Sequence, residues 1–281
     1  MRSRWVLFIV HIFFSLPLLG QVTIITSHSA PSPPSRPTTG AFMAVFRGEP
    51  LVPRYRNPNV SYGLDPKQER FFVYVPESYT GATPFGLVVF TAPSDNVTAV
   101  SEEWMSVLEA RKLLFVAAEN SGNEVQSSKR MGLAVLGALE MMKHYRIDPN
   151  RIYASGFSGG ARIAGKLGFF QSDLFRGTIQ NSGADFYKTV ARAYATSTLD
   201  SFGNTYGVFR ATATEVEAAK LVRFVLITGS NDFRRGNILD IYHGGFAKAG
   251  IHSKLLDVPG LGHDLCDGKT FSAALDFIEG K

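Results

Sequence analysis

From Phe71 to the C-terminus, short apolar runs alternate with stretches of helical spacing, and this alternation restricts the chain to few folds. Phe71–Val75 is aromatic and β-branched and is closed by Pro76. Gly86–Phe90 (GLVVF), Leu113–Ala118 (LLFVAA), Arg151–Ser155 (RIYAS), Val222–Thr228 (VRFVLIT) and Lys254–Val258 are further strand candidates, with a weaker one at Thr178–Gln180. Continuous rather than alternating hydrophobicity is what a strand buried on both faces requires. Between them, helices are expected over residues 101–111, opened by Ser101 followed by Glu102 and Glu103, and over Met131–Tyr145, Gly159–Phe170, Ile238–Ala249 and Thr270–Ile278. Strands separated by helices of this length imply an α/β class: a mostly parallel central sheet with helices on both faces.

Two thirds of the way along, composition and charge exclude more than they select. A formal charge of +5 is spread without any run of four basic residues, which disfavours a nucleic-acid surface. The single cysteine, Cys266, permits no intramolecular disulfide and argues against a zinc or iron–sulfur site, so no metal is expected.

The N-terminus carries its own pattern. Arg2 and Arg4 precede an apolar stretch from Trp5 to Gly20, with Pro17 near its end and Gly20 at a plausible cleavage point. Residues 1–20 read as a signal peptide, which places the domain outside the cytoplasm, secreted or periplasmic. Apolar character continues to Ile25, long enough for an uncleaved anchor, and a membrane partner is expected only in that case. Residues 21–41, rich in Pro, Ser and Thr, read as a tether, and residues 42–281 as one catalytic domain with structure beginning near Phe42.

Three short stretches bear chemistry. Gly156-Phe157-Ser158-Gly159-Gly160 is a G-x-S-x-G pentapeptide between an expected strand and an expected helix. A nucleophile elbow needs that placement: small flanking residues allow a tight turn, and the helix start offers free N–H groups and a positive dipole end. Gly229-Ser230-Asn231-Asp232 follows VRFVLIT, and Pro259-Gly260-Leu261-Gly262-His263 follows the last strand. Serine, acid and histidine thus occur in the order and at the strand ends where such a site assembles. Ser158 is the expected nucleophile and His263 its base; Asp232 is the expected acid, with Asp185 as the alternative one strand earlier. Of the remaining histidines, His11 and His28 precede the domain, and His144, His243 and His252 lie in or near helices.

Ile147–Arg162 (IDPNRIYASGFSGGAR) resembles the elbow region of secreted α/β-hydrolase esterases related to polyhydroxybutyrate depolymerases and feruloyl esterases. Residues 226–232 (LITGSND) and 258–264 (VPGLGHD) resemble that family's acid and histidine segments, and the likeness spans about residues 70–281. It implies the α/β-hydrolase fold, a small-molecule or polymeric ester substrate, no cofactor, and a Ser158–His263–Asp232 triad. A serine peptidase on the same scaffold, or a silent binding module keeping the fold, are the competing expectations. Such esterases carry His-Gly after the third strand, where a backbone N–H completes the oxyanion hole; here the residues are Thr91-Ala92-Pro93-Ser94. Proline has no N–H. Gly159 is expected to supply one donor, with Ser94 or Ala92 as the second, and loop 119–123 to add a side chain. Losing one donor costs on the order of 3 kcal/mol of transition-state stabilisation. Residues 184–220 read as a cap-like insertion whose aromatics, Phe186, Tyr187, Tyr194, Phe202, Tyr206 and Phe209, either line a pocket or pack the cap.

Overall fold

The computed structural model describes residues 22–24, 37–46, 64–185 and 211–281. The expected signal peptide and most of the aromatic insertion lie outside them. Among the described residues nine strands form one sheet in the order β1-β2-β3-β5-β4-β6-β7-β8-β9. They are β1 (Val22–Ile24), β2 (Gly40–Val45), β3 (Phe71–Val75), β4 (Phe85–Thr91), β5 (Leu113–Ala118), β6 (Ile147–Phe157), β7 (Gly177–Asn181), β8 (Arg223–Gly229) and β9 (Ser253–Val258). All pairings from β5 to β9 are parallel, whereas β3 runs antiparallel to both β2 and β5. β1 and the start of β2 fall within the stretch read as a tether, where Val22–Ile24 pair with Met43–Val45.

Strand alternation sorts the side chains into two cores. Leu87 and Val89 of β4, with Leu114 and Val116 of β5, pack on one face under helices α2 (Ser127–His144) and α3 (Gly159–Phe170). Val88, Phe90, Leu113 and Phe115 face the other way, under α1 (Glu102–Arg111) and the C-terminal helix (Gly268–Glu279). Each large side chain removed from water in these layers contributes about 1.5–3 kcal/mol. Trp104 of α1 stacks on Phe271 with ring centroids 3.9 Å apart, and its indole N–H donates to the Cys266 carbonyl at 2.8 Å. A third cluster at the far edge joins Phe169, Phe224 and Phe246 with residues of α4 (Ala213–Ala219) and α5 (Arg235–Ile241); the C-terminal helix is therefore α6.

Local boundaries differ most from the sequence reading in three places. α2 begins at Ser127, one turn earlier than the apolar spacing indicates. β6 runs through Asp148-Pro149 rather than starting after them, because its register against β4 shifts between the Phe85 and Leu87 pairings. A proline sitting in such an irregularity leaves no ladder N–H unmatched. The helix expected over Ile238–Ala249 is α-helical only to Ile241 and continues as a π-turn over Tyr242–Ala247, where Gly244 and Gly245 weaken the α-helical preference.

β4 lies between β5 and β6, so the connections leaving β4 and β5 diverge to opposite sides. Ligand sites of open α/β sheets form in the crevice at such a switch, outside the C-terminal strand ends. The ends of β4 and β6 are Thr91 and Phe157, next to the loop carrying Pro93 and to Ser158.

Candidate active site

β6 ends and α3 begins on either side of Ser158, which adopts φ 52° and ψ −117°. A non-glycine residue in that region is strained and persists only where its surroundings over-determine it. Here they do. The Ser158 N–H donates to the Asn181 carbonyl at the end of β7 at 2.8 Å. A Cβ on Gly160 would overlap the Thr91 carbonyl, and one on Gly156 would overlap Gly160, so the helix start presses directly on the ends of β4 and β6.

Asp232 follows β8 in a turn closed by its own N–H to the Gly229 carbonyl at 3.0 Å. Its side chain is fully buried, and three donors converge on the carboxylate. Thr228 Oγ1 donates to Oδ2 at 3.0 Å, while the Arg234 N–H and His263 Nδ1 both meet Oδ1 at 2.9 Å. With Nδ1–H turned to a carboxylate, Nε2 is left as an acceptor. Ser158 Oγ lies 2.9 Å from it.

The His263 loop is tied to the Asp232 loop rather than hanging free. The Gly260 N–H donates to Ser230 Oγ at 2.8 Å, Asn231 Nδ2 donates to the Gly260 carbonyl at 3.2 Å, and the Asn231 N–H to the Leu261 carbonyl at 3.1 Å. The imidazole sits between Phe157 and Phe233, at ring distances of 5.2 and 4.3 Å. Phe233 is 72% exposed, with the Arg234 guanidinium 5.0 Å above its ring, and Leu265 nearby in sequence is also exposed.

Asp185, the alternative acid, is engaged elsewhere. It is buried, and its carboxylate accepts from Arg162 Nε at 2.7 Å and lies 3.2 Å from Lys166 Nζ. Burial alone raises a carboxyl pKa, but Lys166 and Arg162 outweigh it and hold Asp185 below the ordinary value. Cys266 is buried, and its thiol is pushed up to about 12 by burial and by Asp267, which leaves no thiolate at neutral pH.

Of the three residues named for the oxyanion hole, Gly159 occupies the first position of α3, directly after Ser158. Ala92 is buried, and its carbonyl accepts from Arg130 Nη2 at 2.8 Å. Ser94 is exposed, and its hydroxyl donates to the Asn96 carbonyl at 3.2 Å. Asp95 braces this loop against the one after β5: its Oδ1 accepts from the Gly122 N–H at 2.9 Å, and its carbonyl from the Asn120 N–H at 2.8 Å. Arg130 and Phe233 were not singled out from the sequence. A lone arginine in a helical pattern and a phenylalanine next to an acid carry no signal by themselves. No group of His, Cys, Asp and Glu side chains able to hold a metal occurs among the described residues. Nor is any helix among them long and apolar enough to cross a membrane.

A mostly parallel sheet with one reversed strand, helices on both faces and a serine in a strained strand-to-helix turn define the α/β-hydrolase fold. Solved structures of that fold resemble this chain at low identity. A ferulic acid esterase matches with a TM-score of 0.55 at 18% identity over 74% of this chain and 89% of its own. The poly(3-hydroxybutyrate) depolymerase LpqC of Bordetella parapertussis matches with a TM-score of 0.54 at 17% identity, over 76% and 84%. The fluorophosphonate-binding serine hydrolase FphF of Staphylococcus aureus gives a TM-score of 0.57 at 13% identity, over 75% and 92%. No family model and no curated protein matches the sequence.

Proposed function

We propose that the protein is a serine hydrolase that cleaves carboxylic esters through an acyl-enzyme, with Ser158, His263 and Asp232 as its triad. The observation that carries this reading is the unbroken hydrogen-bonded path from Ser158 Oγ through both ring nitrogens of His263 to Asp232. His263 Nε2 takes the serine proton as Oγ attacks the ester carbonyl carbon, and Asp232 steadies the imidazolium that results. The Gly159 N–H, at the positive end of α3, faces the charge that develops on the carbonyl oxygen. Collapse expels the alcohol, which leaves with the proton from His263. Water then attacks the acyl carbon, giving its proton to His263, and the acid departs as Ser158 Oγ is reprotonated. Likeness to an esterase and a depolymerase supports the ester as substrate class, and the exposed Phe233 ring beside His263 suits an acyl or aromatic group. The N-terminal pattern of residues 1–20 favours an extracytoplasmic site of action.

The test is labelling of the purified protein by a fluorophosphonate together with turnover of short p-nitrophenyl esters. Both are expected in the wild type, and both should vanish in Ser158→Ala with the fold retained. Ester turnover that survives in Ser158→Ala would remove serine chemistry from this site.

A further inference from the structure

In this fold the loop after β4 offers the second backbone oxyanion donor, and here that loop carries Pro93, which has no N–H to give. The loop after β5 comes against this position. The Asn123 N–H donates to the Pro93 carbonyl at 2.9 Å, which fixes the two loops together. The Asn123 side chain lies against Gly159, the residue that follows the nucleophile: a Cβ there would overlap Asn123 Oδ1 and come within 3.1 Å of Nδ2. Only glycine lets that amide approach so closely.

The amide is oriented as well as placed. Arg130, on the first turn of α2 and 3% exposed, donates through Nη1 to Asn123 Oδ1 at 3.3 Å and through Nη2 to the Ala92 carbonyl at 2.8 Å. A guanidinium only donates, so it must face the amide oxygen, and Nδ2 is turned the other way. Among the described residues Nδ2 has no hydrogen-bond partner, and it is not a fully buried atom. An amide N–H₂ beside Gly159, without a partner among the described residues, is a donor free to serve a ligand.

Arg130 has no ion-pair partner within reach among the described residues. Burial, with Arg162, lowers its pKa to about 10, and Asp95 partly offsets this, so the side chain remains a cation at neutral pH. A buried cation held against one amide and one carbonyl polarises both, and its field stabilises negative charge developing nearby.

We infer that Asn123 Nδ2 is the second oxyanion donor of this site, set in place by Arg130, and that it substitutes for the backbone N–H absent at Pro93. This rests on the serine-hydrolase reading above. When Ser158 Oγ bonds to the carbonyl carbon, the carbonyl π pair moves onto oxygen; that oxyanion accepts from the Gly159 N–H and from Asn123 Nδ2–H. Both bonds weaken again as the carbonyl re-forms and the alcohol leaves. Asn123 is therefore a catalytic residue, and Arg130 a positioning residue that acts through it.

The experiment uses the full chain, with p-nitrophenyl esters and a fluorophosphonate as probes and a trifluoromethyl ketone as mimic of the tetrahedral adduct. Asn123→Ala should lower kcat by about 10²- to 10³-fold with KM nearly unchanged. Ketone affinity and fluorophosphonate labelling rate should fall in parallel. Asn123→Asp, equal in size, should lose at least as much, which guards against a fold defect in the alanine variant. Arg130→Lys should lower kcat in the wild-type background but add little in Asn123→Ala, because a residue that only supported the fold would act additively. Wild-type labelling at Ser158 combined with an Asn123→Ala rate within twofold of it would overturn the Asn123 assignment alone. Absence of any labelling at Ser158 in the wild type would overturn the hydrolase reading, and this inference with it.

Discussion

Two buried aspartates sit just beyond the C-terminal ends of neighbouring strands, Asp185 after β7 and Asp232 after β8. Asp232 is met by neutral donors and by an imidazole, whereas Asp185 is met by two cations, Arg162 and Lys166, one turn apart on α3. A carboxylate between a guanidinium and an ammonium is committed: its charge is cancelled in place, and it ties the helix behind Ser158 to the edge of the sheet. A carboxylate held by a hydroxyl, a backbone N–H and an imidazole keeps a partner whose charge can change. The difference lies in what faces each aspartate: two cations of α3 for Asp185, the loop that carries His263 for Asp232.

The largest effect expected from this contrast is on turnover. Asp232→Asn should lower kcat by about 10⁴-fold, since the amide presents the wrong donor–acceptor pattern to His263 Nδ1. The melting temperature should change little. Steady-state kinetics beside a thermal melt would separate the two, and a near-normal kcat would exchange the roles assigned to the aspartates.

Asp185→Ala should do the reverse, leaving kcat within an order of magnitude while destabilising the fold by about 3–5 kcal/mol, the usual result of orphaning a buried cation. Denaturant midpoints would measure it. Acid sharpens the same comparison. Because the folded-state pKa of Asp185 is depressed, its contribution is complete above the unfolded value and is lost as pH falls through the folded one. Below pH of about 4, the usual carboxylate value, wild-type stability should therefore fall more steeply than that of Asp185→Ala. Parallel pH–stability curves would show that Arg162 and Lys166 do not hold it.

Pro93→Gly should have the smallest effect, a several-fold drop in kcat from a loop less firmly held. Asp95 and the Asn123 N–H already brace this stretch from outside. A rise in kcat instead would mean that a new N–H at residue 93 had entered the oxyanion site.

Much of this architecture could be read in the chain. The β5 and α3 boundaries coincide with the apolar patterning, and Ser101 caps α1 by accepting from the Trp104 N–H at 3.3 Å. That Ser158, His263 and Asp232 come together was legible because each follows a strand, and strand ends on one edge of a parallel sheet converge. Strand order favoured Asp232 over Asp185, but the partners that engage Asp185, Arg162 and Lys166, were not recognised although they lie four residues apart. α3 is buried over most of its surface, so hydrophobic spacing gives no direction for its two cations. Arg130 escaped for a related reason: its partners are a main-chain carbonyl and an amide from distant loops, contacts that leave no periodic trace.

The backbone of Ser158 has one last implication, for anyone trying to make this protein sturdier. A serine held at φ 52° carries strain on the order of 1–3 kcal/mol, which glycine at the same position would shed. The sequence that folds best around this turn is therefore not the one the proposed chemistry needs. A screen that rewards heat resistance alone would drift toward Ser158→Gly and discard the proposed nucleophile, so thermal selection of this chain has to be coupled to turnover from its first round.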